Sequence, residues 1–416
     1  MQRYWKMIFI TSLFIVIIGT FYIQSALAIN KLPEFNWEKQ AGDDNVLEGI
    51  ILSGGITDED HSVDEPFTIK NNSTIYTSEL SLVDRLNNYT YDPEIKKLQK
   101  KYRSFMRGKY ESISNYYEDE KVLVYADINS KWDSNRFKES DFQLNVEVLY
   151  KDKDEKAAFT IDIPNQDNYQ YMTIEAVNVT DGKLHIITSN DLMVHGSDEA
   201  TTEVRLYLLN LAGGKLINEE SIFSHSQEGD YTEVGILNDN RDLQKNNYIV
   251  IEGTDWENME RSEDEGEDIY EEVVKDRKII VLNLKTKEQI PLEVPEELLN
   301  QEIIPATNEG KIYFFKQNKK GLEIIPYDFV KQKLEKPFEI ELFEQRILDP
   351  SEEFKQIKDG KLYYAMNFPP MEGEKRNPIM YIIDLNSQEL IYHGTLKSDA
   401  MLPEDYYFYM YDFFIQ

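Results

Sequence analysis

Lys96, Lys97, Lys100, Lys101, Arg103 and Arg107 crowd one short stretch of a 416-residue chain whose formal charge is −32. Cations at that density select anions: phospholipid headgroups, an anionic wall polymer or an acidic face of an envelope protein. Each cation near an anionic membrane surface contributes about 1 kcal/mol. The competing reading is that the segment docks on the chain's own acidic surface and balances charge locally. No other set of residues points to a reaction. The five histidines, His61, His185, His195, His225 and His393, never pair at metal-ligand spacing, and there is no cysteine. G-x-S-x-G, H-E-x-x-H, a Gly-rich phosphate loop and a dinucleotide fingerprint are all absent, so no catalytic residue, metal ligand or cofactor is predicted. The many carboxylates allow a glycosidase-type pair without locating it, because its members must come from distant segments.

The basic residues need an element to present them, and residues 92–108 read as a helix. Asp92 suits the N-cap, Pro93 the first turn and Gly108 the exit. Ile95, Leu98, Tyr102, Phe105 and Met106 recur at helical spacing and form one apolar face. A second charged stretch, residues 255–276, is of the opposite sign. It holds too few apolar residues to order itself and is expected to be a solvated, mobile insertion between strands. The calcium-loop pattern with Gly and Glu at fixed offsets is missing there.

The rest of the chain repeats. A polar turn leads into a short β-type run at Ser73-Thr74-Ile75-Tyr76, Lys121-Val122-Leu123-Val124-Tyr125 and Asp181-Gly182-Lys183-Leu184-His185. The pattern returns at Asn247-Tyr248-Ile249-Val250, Glu309-Gly310-Lys311-Ile312-Tyr313 and Asp359-Gly360-Lys361-Leu362-Tyr363. In four units an apolar strand then ends in Asn or Asp plus a hydrophobe: Asn210-Leu211, Asn283-Leu284, Asp328-Phe329 and Asp384-Leu385. A tight polar turn and a returning strand follow, which reads as successive antiparallel hairpins. The unit after Lys121 lacks the Asn or Asp.

This recurrence resembles the β-propeller repeats of bacterial extracytoplasmic proteins. The resemblance implies an all-β fold, a β-propeller of about six or seven blades over residues 66–416, behind one N-terminal hydrophobic helix. It implies no function, since propellers host enzymes, scaffolds and sensors alike. Tandem β-sandwiches are the alternative. Residues 29–65 supply a candidate closing strand at Val46–Leu52, to pair with the aromatic run Tyr406–Ile415 and remove exposed strand edges. That run reads as a core strand rather than a sugar platform. The many tyrosines are read as packing.

Residues 1–28 read as a signal peptide or transmembrane anchor. Arg3 and Lys6 precede an uncharged apolar run at residues 7–23, and Ala26-Leu27-Ala28 offers a cleavage site after it. Both fates place the acidic chain outside the cytoplasm of a bacterial cell, because positive flanks stay inside and a disulfide framework is lacking. Nucleic acid is excluded as a partner by charge. The expected function is therefore non-enzymatic: a binding, scaffold or sensor protein of the envelope, touching the membrane through its N-terminal segment. The alternative is a secreted hydrolase acting on polysaccharide or peptide, which requires carboxylates converging with Tyr or Arg in one pocket.

Overall fold

The computed structural model describes residues 32–58, 64–70, 73–81, 92–133, 138–192, 201–226, 231–238, 247–262, 268–306, 309–318, 321–342, 352–368, 377–400 and 406–415, with Trp5, Arg85 and parts of residues 9–20. The cleavage site after Ala28, His61, His195 and residues 263–267 of the acidic insertion lie outside the described residues.

The chain divides into two compact units, Thr90–Phe343 and the pair of terminal segments Met1–Tyr89 with Glu344–Gln416. The first holds four antiparallel sheets in chain order. Sheet A comprises Tyr116–Glu118, Val122–Asp133, Lys138–Tyr150 and Glu155–Asp162, and sheet B comprises Tyr169–Thr180, Lys183–Leu192, Thr201–Asn210 and Leu216–Ser226. Sheet C is Tyr231–Ile236, Tyr248–Ser262, Asp268–Asn283 and Gln289–Leu292. Sheet D is Glu302–Ala306, Lys311–Asn318 and Gly321–Asp328, the last pairing with both Lys333–Leu334 and Phe338–Glu341. Each is a meander of sequential neighbours, as short turns between alternating strands require.

The repeat has a hydrogen-bonding basis that its side-chain pattern shows only in part. Asp181-Gly182 and Asp359-Gly360 both have positive φ, as the two-residue hairpin turns they form require. At the far end of the next hairpin, the side chains of Asn210, Asn283 and Asp384 each accept from two following backbone N–H groups. The hydrophobe after each one donates its N–H back to the first turn: Leu211 to Gly182, Leu284 to Asn247 and Leu385 to Gly360. Phe329 does the same to Gly310. The two motifs are thus halves of one hydrogen-bonded unit. Lys151 donates equivalently to Lys121 at 2.8 Å in sheet A, with Tyr150 in the place of the Asn or Asp. The backbone makes this bond, so the unit that lacks the signature keeps the geometry.

Apolar residues on both faces of the strands build the cores between successive sheets. Val124, Val146 and Val148 of sheet A meet Val177, Ile186 and Leu209 of sheet B, while Ile187, Val204 and Leu206 on its other face meet Ile249 and Ile251 of sheet C. Val281 and Leu292 of sheet C then pack with Ile312 and Phe314 of sheet D.

The terminal segments form two further sheets. Sheet E orders Glu352–Lys358, Lys361–Asn367, Ile379–Asp384, Glu389–Ser398 and Phe35–Gly42, the last strand coming from the other end of the chain. Sheet F orders Tyr406–Ile415, Ile50–Asp58, Asp64–Lys70 and Ser73–Tyr76. The two chain ends therefore pair twice. The strand expected at Val46–Leu52 is displaced, because Asp43 caps a short 3₁₀ turn at Asp44–Leu47 and pairing begins at Ile50. Gly42 closes its strand at φ +88°, where an added Cβ would lie 2.0 Å from the Ile391 carbonyl oxygen. Gly42→Ala is expected to cost about 2 kcal/mol or more, from left-handed strain plus the clash. A urea titration of the full chain checks this, and an unchanged midpoint contradicts it.

One sequence expectation changes here. The acidic insertion is not a break between strands: Tyr248–Ser262 and Asp268–Asn283 stay paired from Tyr248↔Asn283 to Ser262↔Asp268, with a bulge at Asp255/Trp256. Backbone hydrogen bonds along a two-stranded ribbon need no apolar core of their own, which the compositional argument overlooked. At the N-terminus, residues 9–17 are helical and all their side chains are exposed, Phe14, Ile15 and Val16 each by more than half. Among the described residues no helix is long and apolar enough to cross a membrane.

Candidate functional site

The basic segment is two helices, Pro93–Lys101 and Arg103–Met106. Asp92 caps the first by accepting from the N–H groups of Glu94 and Ile95. The break falls at Tyr102, with φ −125° and ψ 47°, whose carbonyl also starts the second helix. Its hydroxyl donates to the Glu118 carboxylate at 2.7 Å. Ile95, Leu98, Phe105 and Met106 are buried against Tyr116, Leu123, Tyr125 and Leu149 of sheet A. The apolar face is therefore as expected, while the single continuous helix is not, because Tyr102 is drawn toward Glu118.

The six cations separate into groups. Lys97 pairs with Glu94 at 2.5 Å and Lys101 with Glu118 at 3.0 Å. Burial alone would raise the Glu118 pKa, but hydrogen bonds from Lys151, Tyr102 and Lys101 hold it below the usual carboxylate range. Lys96 is half-buried, and its pKa is lowered by lost hydration and by the neighbouring Lys100 ammonium. Lys100, Arg103 and Arg107 are exposed and form no ion pair with a described residue. Local charge balance thus occupies part of the segment and leaves the rest facing solvent.

Immediately after this segment the chain enters a cleft of about 440 Å³. Its walls come from three stretches: Tyr110 to Asn115, Asp127 to Ser130 and Tyr171 to Glu175. Tyr110 is anchored through its backbone, donating its N–H to the Tyr125 hydroxyl at 3.1 Å and accepting from the Tyr116 hydroxyl at 2.7 Å. The residue is nevertheless 67% exposed, and Tyr171 is 50% exposed. Burial pushes the Tyr125 pKa up to about 12, so its hydroxyl stays protonated at any physiological pH. The buried Asn115 is pinned by donating to the Ala126 carbonyl at 2.7 Å.

The remaining lining is polar. The hydroxyls of Ser112 and Ser114 lie 3.2 Å apart, and Thr173 donates to the Glu175 carboxylate at 2.9 Å. Asp127 accepts from the N–H of Ile128 at 2.9 Å. Two exposed tyrosines in a cleft that also holds hydroxyl, amide and carboxylate groups are residue types that can cover the C–H face of a sugar ring and bond its hydroxyls. Two carboxylates in one cleft are also the minimum set for acid–base cleavage of a glycosidic bond.

Sequence reasoning missed this site. Among the described residues many tyrosines are packed in the interior, including Tyr116, Tyr117, Tyr169 and Tyr207. Nothing local marks Tyr110 and Tyr171 as different, and their cleft is assembled from segments about sixty residues apart. His185, His225 and His393 are all buried. Among the described residues no group of three or more metal-ligating side chains comes together.

No family model and no curated protein matches the chain. Solved structures do. A luciferin-regenerating enzyme matches at 11% identity and a TM-score of 0.31, over 68% of this chain and 75% of that one. A polysaccharide lyase matches at 10% identity and a TM-score of 0.35, over 65% of this chain and 57% of the lyase. The β-propeller domain of the trilobed protease from Pyrococcus furiosus matches at 10% identity and a TM-score of 0.22, over 67% of this chain and 81% of the domain. These neighbours are enzymes or enzyme domains, and a propeller is among them. At such TM-scores the likeness carries no functional argument.

Proposed function

We propose that this protein binds a carbohydrate in the Tyr110–Tyr171 cleft, on the outside of a bacterial membrane, with its six sheets serving as blades of a propeller. The observation that carries this reading is the presence of two exposed tyrosines in a hydroxyl- and carboxylate-lined cleft. The exposed helix at residues 9–17, apolar except at Thr11 and Ser12, supports a place at a membrane, since so apolar a helix is stable in lipid or in a core. Sequential antiparallel sheets of four or five strands and the twofold pairing of the chain ends support the propeller.

Tyr171→Ala is expected to weaken oligosaccharide binding about tenfold or more, the value of one aromatic contact, and to leave the unfolding midpoint unchanged. Isothermal titration against neutral and acidic hexasaccharides measures it. Equal affinity of variant and wild type, or no binding by either, overturns the reading. The presence of both Asp127 and Glu175 in the cleft favours a second reading, a hydrolase of the same ligand. On that reading bound oligosaccharide is cleaved, and Asp127→Asn or Glu175→Gln abolishes turnover while binding persists.

A further inference from the structure

The cations of the basic segment and the cleft are continuous in the chain. Arg107 is three residues before Tyr110, and Lys109 between them is held inward by Glu147 at 2.7 Å and by the rings of Phe105 and Tyr125. Lys100, Arg103 and Arg107 are exposed and stand ten, seven and three positions before Tyr110 of the cleft wall in the chain. Inside the cleft the sign reverses, because Asp127 and Glu175 line it. An anionic unit is repelled there and attracted outside it; a neutral, hydroxyl-bearing unit suits the cleft.

We infer that the ligand is an anionically substituted glycan, whose neutral units sit in the cleft and whose anionic groups lie against Lys100, Arg103 and Arg107. This rests on the carbohydrate reading of the cleft and adds the ligand's charge and direction. It also explains why a chain of formal charge −32 keeps these three cations free of internal partners among its described residues. The glycan is a flexible chain held at separated points, so a uniformly charged bilayer is a poorer fit to a surface that changes sign within a few residues.

The test uses the full chain on an array of neutral, uronate-bearing and glycosyl-phosphate oligosaccharides, with phosphatidylglycerol vesicles alongside. The triple variant Lys100→Glu, Arg103→Glu, Arg107→Glu is compared with wild type. Wild type is expected to prefer acidic oligosaccharides, with affinity that falls as salt rises. The triple variant is expected to lose about 100-fold of that affinity and its salt dependence, while keeping its residual affinity for neutral oligosaccharides. Equal binding of acidic and neutral oligosaccharides by wild type overturns the inference and leaves the cleft reading standing. Binding to vesicles alone, lost in the triple variant, overturns it in favour of a membrane surface. No glycan binding at all overturns both. The three side chains are exposed, so folding is preserved; where it is not, the single variant Arg107→Gln gives the same comparison.

Discussion

Replacing Asp255 with alanine is expected to destabilise the Thr90–Phe343 unit by about 2–5 kcal/mol, the penalty for removing a buried carboxylate on which two polar groups depend. Asp255 stands on sheet C at the bulge in its long hairpin, with its side chain wholly buried. One carboxylate oxygen meets His225 Nε2 of sheet B at 2.8 Å, and the other accepts from the Thr232 hydroxyl. His225 is itself buried and stacks on Phe223, ring centroids 5.9 Å apart. Truncation strands a buried imidazole nitrogen and takes the acceptor from the partly buried Thr232 hydroxyl. Asp255→Asn keeps an oxygen for Thr232 and is expected to cost less than alanine. Urea titration of the three proteins gives the order. A loss under about 1 kcal/mol for alanine means that water reaches the pair, and the account of a buried tie between two sheets fails.

A second large effect concerns pH. His185 lies on the inner strand Lys183–Leu192 of sheet B and is 2% exposed. Burial withholds the hydration an imidazolium needs, and the Lys287 and Lys183 ammonium groups add to the penalty, bringing its pKa down to about 4 from 6.5. Hydrogen bonds to the backbone of Asn178 and Leu284 act in the opposite direction and are outweighed. The folded protein therefore holds His185 neutral. Above pH 6.5 the residue is neutral in both states and contributes nothing to the pH dependence. As pH falls from 6.5 toward 4, the unfolded chain takes up a proton that the folded one refuses. Stability should decline by about 1.4 kcal/mol per pH unit, some ~3 kcal/mol in all, and level off below pH 4. The carboxylates titrate over part of the same range, so the informative quantity is the difference between wild type and His185→Gln. The variant is expected to show a flatter slope between pH 4 and 6.5. Parallel slopes would falsify the assignment.

How much of this was readable beforehand depends on the range of the interactions involved. Turns were readable because Asp-Gly and Asn-Leu act within a few residues: the left-handed conformations at Asp181 and Gly182 and the side-chain caps at Asn210, Asn283 and Asp384 are local. The apolar face of the basic helix was readable from spacing, and so was the affinity of the two chain ends for each other, since both are β-type and otherwise leave edges open. The acidic ribbon was misread because composition measures burial, whereas the ribbon is held by cross-strand backbone pairing and by contacts such as the Tyr231–Trp256 stack at its base.

The amino-acid order alone determined that the chain is built of repeated antiparallel hairpins, that one segment concentrates cations, and that an apolar N-terminal run precedes them. Those properties follow from local conformational preference and side-chain periodicity. Tertiary structure decided which cations stay unpaired, because Glu94 and Glu118 satisfy Lys97 and Lys101 while no described carboxylate pairs with Lys100, Arg103 or Arg107. It also decided which tyrosines face solvent, by clamping the backbone of Tyr110 between Tyr116 and Tyr125, and it brought Asp127 and Glu175 to one cleft from strands of different sheets. His225 and Asp255 meet only because sheets B and C pack face to face, and a contact across sheets leaves no trace in the spacing of its residues.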